Sequence, residues 1–322
     1  MPPLRRLAYL ALFLGYAQVV FGAVVRITGS GMGCGDNWPD CFGSLTPASS
    51  APGLLIEISH RYGAVALSLA VLALIVAAFL TRKTSGVGGR RGVLRPAVLA
   101  GVLVLAAAIF GAITVKMELH PLTVVTHLAI AMALLAVIVV ALVRAGGLGA
   151  ATIPGDASAS AMRGARIAIA LTFIALVFGA LTANVPGAPL ACRGFPWCRA
   201  LEGAGPATIH ITHRVIGFLV LGHLIGMTIG SRKRSEHPTI RFAIATALGL
   251  VVLQVIVAAG MVEMALPASL RAVHQAVGTA LWIAVAAMAA LAGGRVGSST
   301  RADVVRDSPS RGTFATPEGV ST

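Results

Sequence analysis

The sequence predicts an all-α membrane protein: eight transmembrane helices arranged as two pseudo-two-fold-related four-helix bundles. Three observations carry this. Hydrophobic residues make up 57% of the 322 residues and charged residues only 11%, against about 25% charged in a soluble domain. Apolar runs near 7–26, 57–80, 94–115, 122–143, 163–183, 209–230, 240–262 and 271–292 each approach the roughly 20 residues that cross a bilayer. The chain also resembles itself.

The first run is too long for the roughly 7–15-residue core of a signal peptide, and no small-residue cleavage site follows it. It therefore counts as a span. Placing the N-terminus inside puts 18 of the 25 basic residues on the inner side, leaving Arg26, Arg61, Lys116, Arg193, Arg199, Arg214 and Arg271 outside. This asymmetry predicts a multi-pass protein of the bacterial cytoplasmic membrane with both termini cytoplasmic. The net charge of +14 is then a topology signal with weak attraction to membrane lipid, not a sign of nucleic acid.

The loop after the first span carries Cys34, Trp38, Pro39 and Cys41; the loop after the fifth carries Cys192, Pro196, Trp197 and Cys198. Both are predicted outside, where thiols stay oxidised. Four cysteines allow three pairings. Cys34–Cys41 with Cys192–Cys198 is the simplest, and zinc is the weaker competitor because no histidine lies near either pair. After each loop comes a matching helix start: Glu57-Ile58-Ser59-His60-Arg61 answers His210-Ile211-Thr212-His213-Arg214, and His127 answers His274. Matched residues lie 158 (Cys34, Cys192), 153 (His60, His213) and 147 (His127, His274) positions apart. Four helices per repeat bring both halves in from the same side, giving parallel repeats. The predicted division is 1–144, a cytoplasmic linker 145–162, 163–294, and a disordered Ser-, Thr-, Arg- and Gly-rich cytoplasmic tail 295–322. The Gly29-Ser30-Gly31-Met32-Gly33 run is no dinucleotide loop, since no strand precedes it.

His60 and His127 fall about four and six residues into spans of one direction; at 1.5 Å per residue they share a depth. His213 and His274 repeat this. Paired imidazoles on neighbouring helices can hold haem iron from both faces. A lone histidine would be read as a helix-to-helix hydrogen-bond partner, but two pairs in register point to haem ahead of copper or zinc. Glu57 lies one turn before His60 on the same face, and the second repeat has His210 there. A buried carboxylate beside a cofactor can move protons; the competing reading is an exposed helix-start acid, and the break in the repeat favours chemistry. Arg61 and Arg214 either pair with haem propionates or snorkel to the interface. His120 and His237 read as solvated loop residues, His223 as a packing or hydrogen-bonding residue, Met117, Met261 and Met264 as core filler, and Trp38, Trp197 and Trp282 as interfacial or packing residues.

Thr28-Gly29-Ser30-Gly31-Met32-Gly33-Cys34 through Trp38-Pro39-Asp40-Cys41, the two helix starts, Ala191-Cys192-Arg193-Gly194-Phe195-Pro196 and Val273-His274-Gln275 together resemble bacterial haem A synthase across the whole eight-helix region. The resemblance implies an enzyme that oxidises a methyl group of haem O to a formyl group in two hydroxylation-like steps. It implies that His60 and His127 face the substrate haem O, with Glu57 as catalytic acid or base. His213 and His274 would ligate a haem B that passes electrons, and Cys34–Cys41 would be a loop disulfide close to the active site. Haem O synthase or oxidase assembly factors are the protein partners it suggests. The sequence departs from the family pattern at none of the His or Glu positions. The competing functions are a dihaem cytochrome b-type electron relay, which needs the same histidines but gives Glu57 no role, and a duplicated transporter, whose polar groups would lie nearer the midplane.

Overall fold

A computed structural model describes residues 1–44, 51–153, 158–200 and 204–293. Among these are eight helices long and apolar enough to cross a membrane: α1 Pro2–Ile27, α2 Pro52–Leu80, α3 Leu94–Lys116, α4 Pro121–Arg144, α5 Ala159–Asn184, α6 Ala204–Lys233, α7 Pro238–Glu263 and α8 Ala268–Ala292. The chain is a multi-pass all-α membrane protein. The tail 295–322 and the middle of the 145–162 linker lie outside the described residues.

Most helices start earlier than the hydropathy runs suggest, because hydropathy reads only the lipid-facing middle. At 29 residues, α2 is about 44 Å long, well beyond the roughly 30 Å hydrocarbon core. Proline opens α1, α2, α4 and α7, where its missing N–H costs no helical bond and its φ is already helical. His120 and His237, expected as solvated loop residues, are N-caps: their Nδ1 atoms accept from Leu122 N–H at 3.4 Å and Thr239 N–H at 3.3 Å. Ser158 caps α5 by accepting from Ala161 N–H at 3.1 Å, so that helix begins at Ala159, inside the span expected for the linker. The connections α3–α4 and α7–α8 use the same device, two consecutive left-handed residues: Glu118 and Leu119 in one, Ala265 and Leu266 in the other. Left-handed backbone is uncommon away from glycine, and these pairs are 147 positions apart.

Each helix packs on its chain neighbour, and α8 also packs on α1, α4 and α5. It is the most buried span, with Leu281, Trp282, Val285, Ala286, Met288 and Ala289 in the core. The largest core cluster joins Val139 and Val143 of α4 to residues of α5 through α8. Trp282 donates from Nε1–H to the Met132 carbonyl at 2.7 Å and lies against Phe173; it is a packing residue. Beyond the helices, the loop after α5 carries a two-residue antiparallel pair, β1 Cys192–Arg193 with β2 Arg199–Ala200.

Candidate functional site

All four cysteines are in disulfides, Cys34–Cys41 and Cys192–Cys198, which removes the zinc reading of the loops. Each loop is also held to the next helix by an arginine. The two terminal nitrogens of Arg61 donate to the carbonyls of Pro39 (3.1 Å), Asp40 (2.8 Å) and Asn37 (2.9 Å) and to Glu57 Oε1. Arg214 donates to the carbonyls of Gly194 (2.7 Å), Pro196 (3.4 Å) and Cys192 (3.2 Å). A propionate reaching either guanidinium would share it with these carbonyls. Neither arginine simply snorkels.

Glu57 is the sixth residue of α2 and only 4% exposed. The reading of an exposed acid at the helix start therefore fails. Its Oε1 is paired with Arg61, and its Oε2 accepts from the Cys34 main-chain N–H at 2.8 Å, so carboxylate, disulfide loop and arginine form one unit. A buried carboxylate is tolerated when both oxygens are satisfied in this way. The counterpart His210 is buried too, with Nδ1 3.0 Å from the Ala188 carbonyl. Both residues tie their helix to the preceding loop, one as an anionic acceptor, the other as an imidazole.

The structure brings the four histidines together in pairs. The rings of His213 and His274 have centroids 6.3 Å apart at an interplanar angle of 78°. Taking a metal–imidazole bond as about 2.0–2.1 Å and each nitrogen about 1.1 Å from its ring centre, two axial imidazoles on one metal sit about 6.2–6.4 Å apart. The observed spacing fits that. His213 Nδ1 lies 2.9 Å from the Ala175 carbonyl, the outer bond that fixes a ligating histidine's tautomer. The Nδ1 atoms of His60 and His274 are buried without a hydrogen-bond partner among the described residues, while His127 interacts with the Ala107 backbone. His60 and His127 are close enough to interact electrostatically. Phe178, Val185, Pro206 and Ile209 line an open, largely apolar groove between the end of α5 and the start of α6. The described residues hold no cluster of three or more His, Cys, Asp or Glu suited to a bare metal ion, so a macrocycle that supplies its own equatorial ligands suits the paired imidazoles better.

Sequence reasoning missed what surrounds the rings. Three of them lie on glycines of the preceding helix: a Cβ at Gly22 would stand 3.1 Å from His60 Cε1, at Gly111 3.3 Å from His127 Cε1, and at Gly179 2.8 Å from His213 Cε1. Two glutamines were also missed. Gln18 Nε2 donates to the His60 carbonyl at 2.8 Å and lies 3.3 Å from His60 Nε2; Gln254 Nε2 lies 3.2 Å from His274 Nε2. A polar amide inside an apolar span is itself a functional signal. His223, as expected, makes a packing bond, to the Gly164 carbonyl at 2.8 Å.

Residues 5–286 match the family COX15-CtaA, described as cytochrome oxidase assembly protein. The chain belongs to this family. Among its relatives, the Heme A synthase of Halalkalibacterium halodurans is 30% identical over 67% of this chain and 72% of that protein. That of Alkalihalophilus pseudofirmus is 29% identical over 67% and 72%, and that of Bacillus licheniformis 28% over 73% and 78%. The match covers all eight spans except the first residues of α1 and the end of α8, and includes every histidine, cysteine and acid described above.

Proposed function

We propose that this protein is a haem A synthase, an enzyme that turns a ring methyl group of haem O into a formyl group, giving haem A. The change replaces two methyl hydrogens by one net oxygen atom and withdraws four electrons, in two hydroxylation-like steps of two electrons each followed by loss of water. In this reading His60 and His127 hold the substrate haem O through its iron. His213 and His274 hold a haem B, which when bound supplies one-electron redox chemistry. Glu57 accepts protons released as the methyl group is oxidised. Arg61 and the Cys34 N–H keep its carboxylate aimed from the loop side, and the disulfide loop limits water at that end. The positive-inside distribution supports cytoplasmic termini in a bacterial cytoplasmic membrane, and the matched loops, arginines and histidines support two pseudo-two-fold-related halves. Haem O synthase and oxidase assembly factors are the proposed partners.

The observation that carries this reading is the buried Glu57 on the same helix as His60, one turn away, where the other repeat has His210. One observation favours a second reading, an electron relay with two haems: His210 does the same loop-anchoring work, so Glu57 could be structural. Glu57→Gln separates them, because the amide can still accept from Cys34 N–H. The expected result is haem retained, the loop still in place, and haem A formation reduced by at least about 100-fold, the lower range of general acid–base contributions. Undiminished haem A formation, read by chromatography of extracted pigments, would remove Glu57 from the chemistry and favour the relay.

A further inference from the structure

The histidine pairs occupy one end of the bundle, and a site of a different character lies at the other. There a pocket of about 260 Å³ opens among α4, α5, α8 and the α2–α3 connection, lined by Val140 and Arg144, Met162, Ala290 and Gly293, and Arg91. Val140 lies one turn deeper than Arg144 on the same face of α4, so the pocket is apolar towards the bilayer core and basic towards the water. Arg144 donates to the Gly92 carbonyl at 3.1 Å, which holds its guanidinium against the α2–α3 connection. Arg91 and Arg95 are close enough to act on it electrostatically. Among the described residues no carboxylate pairs with any of the three. The sequence offers little else: Asp156 is the one acid between Glu118 and Glu202, and residues 294–322 carry four arginines against three acids. Three guanidiniums therefore gather where the chain itself supplies too few anions, and like charges so placed repel until an anion enters among them.

We propose that this pocket binds one anionic phospholipid, its phosphate held by Arg91 and Arg144 and an acyl chain lying along Val140 and Ala290. Guanidinium matches phosphate with two parallel hydrogen bonds, and Arg95 adds to the local field. Basic pockets between membrane helices on the cytoplasmic side, where the proposed topology puts this one, take lipid head groups in this way. The apolar lining beneath the cations selects a lipid over a soluble phosphate, which has no apolar surface to bury there. A lipid so seated touches α4 and α8 at once. It stabilises the junction between them by binding only the folded state.

The test is lipid binding by the purified full-length protein, stripped of lipid in non-ionic detergent and read by native mass spectrometry. The added probes are phosphatidylglycerol, phosphatidylcholine and glycerol 3-phosphate. One phosphatidylglycerol per chain is expected to bind in preference to phosphatidylcholine and to raise the thermal midpoint. Arg91→Gln and Arg144→Gln are each expected to weaken it about fivefold, the worth of one arginine near an anionic lipid surface. Lys233→Gln, exposed at the same end of the bundle but outside the pocket, is expected to change nothing. Arg91 is exposed, so its variant decides alone if Arg144→Gln does not accumulate. Equal binding of phosphatidylcholine, wild-type affinity in Arg91→Gln, or an equal loss in Lys233→Gln shows diffuse attraction to the membrane surface and overturns the site. Displacement of the lipid by equimolar glycerol 3-phosphate makes it a site for soluble phosphates and overturns the lipid assignment.

Discussion

At the residue scale, Arg61, Glu57 and the main chain of the loop between α1 and α2 form one dense polar unit. Hydrogen bonds to charged groups contribute about 1.5–3 kcal/mol each, and Arg61 makes four such contacts from a side chain only 14% exposed. Arg61→Ala is expected to free residues 34–41 from α2 with their disulfide intact and to leave Glu57 without its cation. Limited proteolysis would then show faster cleavage within the loop between α1 and α2, and haem A formation would fall about tenfold or more; a loop as resistant as wild type would show that the disulfide alone holds it. Arg61→Lys should recover little, since one ammonium cannot reproduce the planar fork. That Glu57, His60, His127, His213 and His274 are candidates is legible in sequence, because residue type, depth and repetition coincide. The partners of Arg61 and Arg214 are not: main-chain carbonyls have no sequence identity, and only the folded loop shows that three of them converge.

At the element scale, helices α1, α3 and α5 contribute mainly by what they lack. Gly22, Gly111 and Gly179 let an imidazole lie directly on the backbone of the neighbouring helix. At Gly179 an added methyl would stand 2.8 Å from His213 Cε1, closer than real Cβ contacts allow; at Gly22 the gap is 3.1 Å. Gly179→Ala should push His213 off the Ala175 carbonyl and lower haem B affinity about tenfold, whereas Gly22→Ala should have a smaller effect on haem O. Haem-to-protein ratios measured on dilution would show the order, and equal effects would contradict it. Helix ends were less legible than helix middles. Hydropathy ends where lipid ends, while Pro52, Ser158, His120 and His237 set where the backbone turns helical. The two histidine caps look like loop residues in sequence because only their Nδ1 contacts reveal them.

At the scale of the whole molecule, helices α1–α4 meet helices α5–α8 mainly along α8, with further contacts to α5 from α4 and α1. Trp282 reaches Met132, Tyr16 Oη–H donates to the Ala276 carbonyl at 3.3 Å, and Arg26 donates to the Ala183 carbonyl at 3.4 Å. Trp282 is 3% exposed, so Trp282→Ala should cost about 3–5 kcal/mol. A lowered thermal midpoint with pigment lost from both sites in one transition is expected; independent loss from each would show that the repeats unfold separately. The eight spans are readable from hydropathy. Which span is central is not, because α8 is less apolar than α3 yet far more buried.

The burial of α8 also sets a temporal order. Helices leave the ribosome from the N-terminus, so His60 and His127 are both present once α4 is made, whereas His213 waits for His274 on the last span. The 147 residues between His127 and His274 take about 7–30 s to synthesise at about 5–20 residues per second. During that interval the nascent chain holds one complete histidine pair, with Met132 still uncovered by Trp282. Insertion of α8 closes the seam and brings His274 to His213 in a single event.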